Sequence, residues 1–223
     1  MPDTVHPTGG MFPEPSGPDS AAAAAVFGDR LDLALDFVRH LASSGIERGL
    51  LGPREGPRLW DRHVLNCAVL SELISQDASV VDVGSGAGLP GLAVAIARPD
   101  LEVHLVEPLE RRVTWLSEVV EDLQLTNVTV HRARAEEVAG TVLGDYVTAR
   151  AVAALSTLAG WTIPLTRPGG QVLAIKGRSA GEEIVKARKV IRTLGGGSAE
   201  IVTAGASTLA EPTIVVRIPV RSV

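Results

Sequence analysis

The stretch Asp82-Val-Gly84-Ser-Gly86-Ala-Gly88-Leu-Pro-Gly91 holds the residue types and spacing that most directly imply chemistry in this 223-residue chain. Glycines let a backbone turn tightly and let its N–H groups meet a ligand with no Cβ in the way. Val80 to Val83 reads as a short buried strand leading into that turn, and Leu92 to Ala97 as a helix leading out of it. In sheets connected this way, ligands bind beyond the carboxyl ends of the strands, near the point where strand order reverses. Glu107 ends the next strand, where a carboxylate accepts hydrogen bonds from ribose hydroxyls. Asp82 either caps the turn or bonds an amine of the ligand. Arg150 closes the fourth strand beside the same centre, where a guanidinium can bond a carboxylate or a base edge. Lys176 closes the fifth and faces the same rim, as a candidate for a phosphate or a base.

The elements that must position these residues follow from hydrophobic spacing. Residues 1–20, with five prolines and three glycines, read as a disordered tail. Residues 21–77 read as a helical appendage. Leu31, Leu35, Val38 and Leu41 lie on one helical face, and Ser43-Ser44-Gly45 is expected to end that helix. A second helix over 58–75 carries Trp60, Val64 and Ala68 on one side. Arg62, His63 and Asn66 fall on a neighbouring polar side. From residue 78 strands alternate with helices: strands at 80–83, 103–106, 128–131, 146–149 and 171–175, and a closing antiparallel hairpin from 199–204 and 213–219. That alternation predicts an α/β fold, a seven-stranded, mostly parallel sheet with an antiparallel last strand. Trp60, Trp115 and Trp161 read as packing residues, and Cys67 as a small core residue.

Composition narrows the function classes. Hydrophobic residues at 45% support a real core. The apolar runs are too short to cross a bilayer, and no secretory leader is legible, so a cytosolic protein with no membrane partner is expected. One cysteine excludes an internal disulfide and any multi-cysteine metal site, and no metal is expected. Net charge is −5, unlike a protein that coats nucleic acid along its whole surface. The charge is uneven, however. Residues 165–192 carry Arg167, Lys176, Arg178, Lys186, Arg188, Lys189 and Arg192 against Glu182 and Glu183. That segment is either a solvated helix face or the seat of an anionic partner.

Two ligand classes fit the glycine turn. Gly86-x-Gly88-x-x-Gly91 matches the dinucleotide fingerprint, in which a pyrophosphate sits on a helix N-terminus. Asp82-x-Gly84-x-Gly86-x-Gly88 resembles the first motif of Rossmann-like methyltransferases that use S-adenosylmethionine. Glu107 suits both. The turn Leu165-Thr-Arg-Pro-Gly-Gly170 ahead of the fifth strand, and the antiparallel end of the sheet, favour the second. A dehydrogenase would also need a substrate domain, for which the chain leaves no room.

Four motifs then carry a more specific resemblance: Asp61-Arg62-His63, Gly84-Ser-Gly-Ala-Gly-Leu-Pro-Gly91, Ala149-Arg150-Ala151-Val152 and Leu173-Ala-Ile-Lys176-Gly177. In this order, over about residues 30–220, the chain resembles the bacterial small-subunit ribosomal RNA methyltransferase G family, also called glucose-inhibited division protein B. The resemblance implies methylation of N7 of one guanine in the decoding region of 16S rRNA. It implies S-adenosylmethionine held by Gly84, Leu89, Ala135, Glu136 and Arg150. It implies 16S rRNA or the small ribosomal subunit as partner, with a monomer expected. Arg62, His63, Lys176, Arg178, Lys186, Arg188 and Lys189 are the candidates for RNA contact. Family members often read Asp-Ser where this chain has Asn66-Cys67. A non-catalytic RNA-binding or ribosome-assembly factor and a nicotinamide-dependent oxidoreductase are the alternative readings.

Guanine N7 carries an in-plane lone pair and no proton, so its methylation needs no general base. Positioning and control of charge are what remain for the protein, with Arg150 as the catalytic candidate.

Overall fold

A computed structural model describes residues 14–16, 18–150 and 153–221. Seven strands form one sheet: β1 (Ser79–Val83), β2 (Glu102–Val106), β3 (Val128–His131), β4 (Gly144–Arg150), β5 (Thr166–Ile175), β6 (Glu200–Ala204) and β7 (Thr213–Pro219). Their order is β3-β2-β1-β4-β5-β7-β6. β1 to β5 pair in parallel, and β7 enters antiparallel between β5 and β6. β1 is buried along its whole length, as its run of valines requires for a strand covered on both faces. Strand order reverses between β1 and β4, so the crevice for a ligand lies past Val83 and Arg150.

Helices cover both faces. One face packs α1 (Pro18–Phe27), α2 (Leu31–His40), a helical stretch over 56–73 that includes α3 (Asn66–Ala68), α4 (Gly91–Ala97) and α5 (Glu110–Asp122). The other packs α6 (Leu155–Thr162) and α7 (Ala180–Thr193). The N-terminal helices share one apolar cluster with α4 and α5, including Phe37, Leu41, Leu65, Leu92 and Trp115. The change of texture at residue 77 is thus a change in sequence pattern within a continuous core.

Three local expectations need correction. The tail expected over 1–20 falls largely outside the described residues, and its last three residues open α1. Ser43-Ser44-Gly45 does not end α2, which continues as a wider π turn over Leu41–Gly45. The serines satisfy their hydroxyls on the carbonyls of Arg39 and His40 without breaking the coil. Gly45 lets the Trp115 ring close in, and the Trp115 indole N–H donates to Ser44 Oγ at 2.9 Å. The helix expected over 58–75 is wound in pieces: a 3-10 turn at Gly56–Arg58, a π stretch at Leu59–Leu65, α3, and a 3-10 turn at Val69–Leu73. That winding turns His63 inward and leaves Arg62 exposed.

Candidate functional site

The glycine turn is held from below by Asp82. This carboxylate is fully buried; Oδ2 accepts from the Gly91 N–H at 3.1 Å and Oδ1 from the Thr148 hydroxyl at 2.9 Å. Burial pushes its pKa up to about 6, against the pull of Thr148, Ser85, Gly91 and the Arg150 charge. Asp82 therefore presents no surface to a ligand in this structure, and its work is to tie β1, β4 and the start of α4 together. Gly84, Gly86 and Gly88 adopt φ of +70°, +55° and +74°, conformations that side chains rarely take. The Ser85 hydroxyl donates to the Asp82 carbonyl, and the Gly84 N–H to the Val106 carbonyl. Leu89 turns its side chain into the core beneath.

Glu107 holds the turn from the side. It is 1% exposed, and its two oxygens accept from the Gly86 and Leu109 N–H groups, each at 3.0 Å. Gly84, Glu107, Pro108, Leu109, Arg112, Arg132, Ala133, Arg134 and Glu137 line a hollow beside it. The fit of this hollow to S-adenosylmethionine rests on three features. A Cβ at Gly86 would find nothing nearer than 3.7 Å, so that side of the turn is open. The Glu107 carboxylate keeps lone pairs for hydroxyl donors. Arg112 lies 3.5 Å from Glu107, and its buried Nε–H has no acceptor among the described residues.

Ala135, Glu136 and Glu137 form a short 3-10 turn just past β3, capped by Glu137 on the Arg134 N–H at 2.7 Å. Ala135 is buried and Glu136 exposed, and the wall of the hollow is made by Arg134 and Glu137 on either side of them.

Arg150 is the last residue of β4. The register Asp82↔Thr148 sets it level with Gly84, and its charge acts on both Asp82 and Cys67. Its Nη2 donates to His63 Nδ1 at 3.1 Å and its Nη1 to the Arg62 carbonyl at 3.4 Å. On its other nitrogen His63 meets Glu55 Oε2 at 2.7 Å. Burial lowers the His63 pKa; Glu55 works against this, and the Arg150 and Arg62 charges add to it. The ring is therefore neutral at pH 7. It donates through Nε2 and accepts at Nδ1, because an arginine cannot accept a hydrogen bond. His63 is 9% exposed with both nitrogens engaged, so the expectation that it stacks on a base or holds a phosphate does not match its position.

Lys176 departs from expectation in the same way. Its Nζ donates to Glu183 Oε2 at 2.9 Å and to the Ala153 carbonyl at 2.7 Å, and little of its side chain meets solvent. Burial raises the Glu183 carboxyl, but Lys176 and the Leu155 N–H hold it below its usual value overall. Lys176 ties the end of β5 to α7 and to the loop before α6, with two of its three N–H donors taken and its side chain largely covered, so it is not placed as an open phosphate ligand. Ala151 and Val152, the end of one quoted motif, lie outside the described residues.

Arg178, Lys186, Arg188 and Lys189 are exposed, and Lys186 lies 3.9 Å from Glu182. The structure does not bring the α7 cations to the glycine turn. Arg188 and Arg192 instead line a groove with Gly196, Ser198 and Arg221, level with the amino end of β5. Glu55, Arg112 and Arg221 escaped the sequence reading. Glu55 sits in a loop of no periodicity, Arg112 looks like an ordinary surface residue of an amphipathic helix, and only the return of β7 brings Arg221 to α7.

Among the described residues no group of three or more His, Cys, Asp or Glu is placed to hold a metal ion. No helix among them is long and apolar enough to cross a membrane.

The rRNA small subunit methyltransferase G family pattern matches residues 30–210. A "Ribosomal RNA small subunit methyltransferase G" of Arthrobacter sp. (strain FB24) is 67% identical over 200 residues, covering 90% of this chain and 93% of that protein. That of Renibacterium salmoninarum is 65% identical over 204 residues, covering 91% and 95%. In fold, the chain is similar to M. jannaschii TYW2 solved in complex with AdoMet (TM-score 0.58, 15% identity, 74% of this chain and 78% of that one). It is also similar to a SAM-dependent methyltransferase from Aquifex aeolicus (TM-score 0.53, 18% identity, 79% and 97%).

Proposed function

Because the chain belongs to the rRNA small subunit methyltransferase G family and is thus an S-adenosylmethionine-dependent rRNA methyltransferase, we propose that its target is N7 of one guanine in the decoding region of 16S rRNA. The observation that carries this reading is the glycine turn hung on Glu107 at the β1/β4 crevice, with Arg150 level with Gly84. The non-catalytic and nicotinamide readings find no support.

In this reading Gly84, Gly86 and Gly88 present backbone to the cofactor, Leu89 shapes the floor of the turn, and Glu107 accepts the ribose hydroxyls. Ala135 and Glu136 stand by the adenine, and Arg150 bonds the cofactor carboxylate or guanine O6. Asp82 positions the turn. S-Adenosylmethionine supplies a methyl group already activated on a sulfonium. The polar groups at the strand tips are committed: Asp82 to Gly91 and Thr148, His63 to Glu55 and Arg150, Lys176 to Glu183. None is offered as a base, which suits an acceptor nitrogen that carries no proton. The guanidinium of Arg150 orients its partner; as a cation it does not offset the positive charge that develops on the purine, so its contribution is positioning. The guanine must be unstacked, or already in a loop, to reach the turn. Monomeric action in the cytosol completes the reading.

Radiolabelled methyl transfer to small ribosomal subunits, followed by mass analysis of the 16S rRNA, tests this directly. A single 7-methylguanine is expected; a methyl on any other atom overturns the assignment.

Two further outcomes follow. Glu107→Ala should weaken binding of S-adenosylhomocysteine by about 2–3 kcal/mol, the scale of charge-assisted hydrogen bonds. RNA affinity measured without cofactor should hardly move. Because Glu107 also holds the Gly86 N–H, a thermal melt must accompany the titration. An unchanged dissociation constant places Glu107 outside the ligand contact. Replacing Lys186, Arg188 and Lys189 together by Gln should lower affinity for the small subunit and flatten its salt dependence by roughly one unit of log–log slope per lost phosphate contact. Cofactor affinity should stay the same. An unaltered slope identifies α7 as a solvated face.

A further inference from the structure

The geometry points to Glu55 and His63 as positioning residues that hold the guanidinium of Arg150, the strand-end residue level with Gly84, in one place. This rests on the reading that Arg150 bonds the cofactor carboxylate. The chain of contacts is linear: Glu55 Oε2 to His63 Nε2 at 2.7 Å, then His63 Nδ1 to Arg150 Nη2 at 3.1 Å, with the Arg62 carbonyl on Nη1 at 3.4 Å. Glu55 sets the tautomer. By accepting a hydrogen bond from Nε2–H it keeps the proton on that nitrogen and leaves the Nδ1 lone pair pointing at the guanidinium. An arginine side chain has many rotamers, and two acceptors on separate nitrogens select one of them. Glu55, Arg62 and Arg150 are the charged groups that act on His63; Asp82 and Cys67 feel Arg150 from β1 and α3.

Protonating His63 turns Nδ1 from an acceptor into a donor and sets an imidazolium against a guanidinium. Burial and two nearby cations keep the ring neutral to below its ordinary pKa of 6.5, so Arg150 is released only on the acid side. The sign of each variant follows. Asparagine carries its amide oxygen near the position of Nδ1 and does not titrate. Glutamine reaches instead to the position of Nε2. Glu55→Ala removes the partner that raises the His63 pKa, and so moves the acid limb to lower pH.

Calorimetric titration of the full chain with S-adenosylhomocysteine between about pH 5 and 8 tests this, bracketing the histidine range. The unsubstituted protein should lose affinity on the acid side. His63→Asn should hold affinity at pH 7 and lose that limb, His63→Gln should weaken binding at every pH by roughly tenfold, and Glu55→Ala should shift the limb downward. Circular dichroism checks the fold of each variant, and the profile of the unsubstituted protein needs no variant at all. A limb that persists unchanged in His63→Asn belongs to a group other than His63 and overturns the proposal. So does wild-type binding by His63→Gln. Wild-type binding by Arg150→Ala, with a wild-type methyl-transfer rate, removes Arg150 itself from the site. Weak binding by Arg150→Ala beside normal binding by both His63 variants keeps Arg150 and discards the two residues behind it.

Discussion

Gly91→Ala should be destabilised by about 3 kcal/mol, the combined scale of overpacking and of a broken buried hydrogen bond. Gly86→Val, five residues earlier, should lose only about 1–2 kcal/mol of stability, the cost of a side chain at positive φ, and should abolish S-adenosylhomocysteine binding. The contrast comes from what each new Cβ meets. At Gly91 it falls inside contact distance of Leu105 Cδ2, 2.7 Å from Asp82 Oδ2 and 3.0 Å from Asp82 Cβ. Both neighbours are fully buried, so neither retreats into solvent. Asp82 must also keep its bonds to the Gly91 N–H and the Thr148 hydroxyl, which join α4 and β4 to β1. Gly91 is therefore a glycine of packing. Gly86 is a glycine of access: its φ is +55°, and a Cβ there has only ordinary contacts at 3.7 Å and 4.0 Å. In the proposed reading, a branched side chain at that position stands where the cofactor approaches the turn. Thermal melts and calorimetric titrations on both variants separate the two roles. Retained tight binding by a folded Gly86→Val removes the turn from the cofactor site. An unchanged melting temperature for Gly91→Ala refutes the packing argument.

That distinction is a measure of what the sequence reveals. The turn itself was legible because glycine spacing after a valine-rich run has few other causes. The seven strands followed from period and punctuation, and the crossing of β7 between β5 and β6 fits the expected antiparallel close. The roles of single charged residues were less legible, because partners far apart in the chain decide them. Lys176 has the type and place of a phosphate ligand, yet Glu183 arrives from the first turn of α7 and takes it. His63 was placed on a polar side by a 3.6-residue period. The π winding over Leu59–Leu65 breaks that period and turns the ring inward, between Glu55 and Arg150. Arg221 and Arg188 share a groove although they stand 33 positions apart in the sequence. Local pattern predicts elements; it does not predict which ions the fold will pair.

Arg150→Ala should lower single-turnover methyl transfer at saturating cofactor and subunit on the order of a hundredfold, the scale of a misplaced reacting group. Arg150→Lys should recover only part of it, since an ammonium cannot hold His63 Nδ1 and the Arg62 carbonyl and still present a fork to a planar edge. The loss should be the same across the pH range in which the unsubstituted protein is itself flat, between about pH 6.5 and 8.5, because arginine does not titrate there. Two groups near the site do titrate close to that range. Asp82 changes charge at about 6, but it is sealed beneath the turn and reaches no substrate atom. His63 protonates only on the acid side, and it acts through Arg150. Neither takes a proton from guanine N7, which has none to give. A rate that climbs tenfold per pH unit through neutrality would therefore show a base at work and exclude a bare lone pair as the nucleophile. A wild-type rate for Arg150→Ala would take that residue out of the site and leave the family membership standing. A uniform loss with no rising limb is the result expected of a guanidinium that positions its partners and never moves a proton.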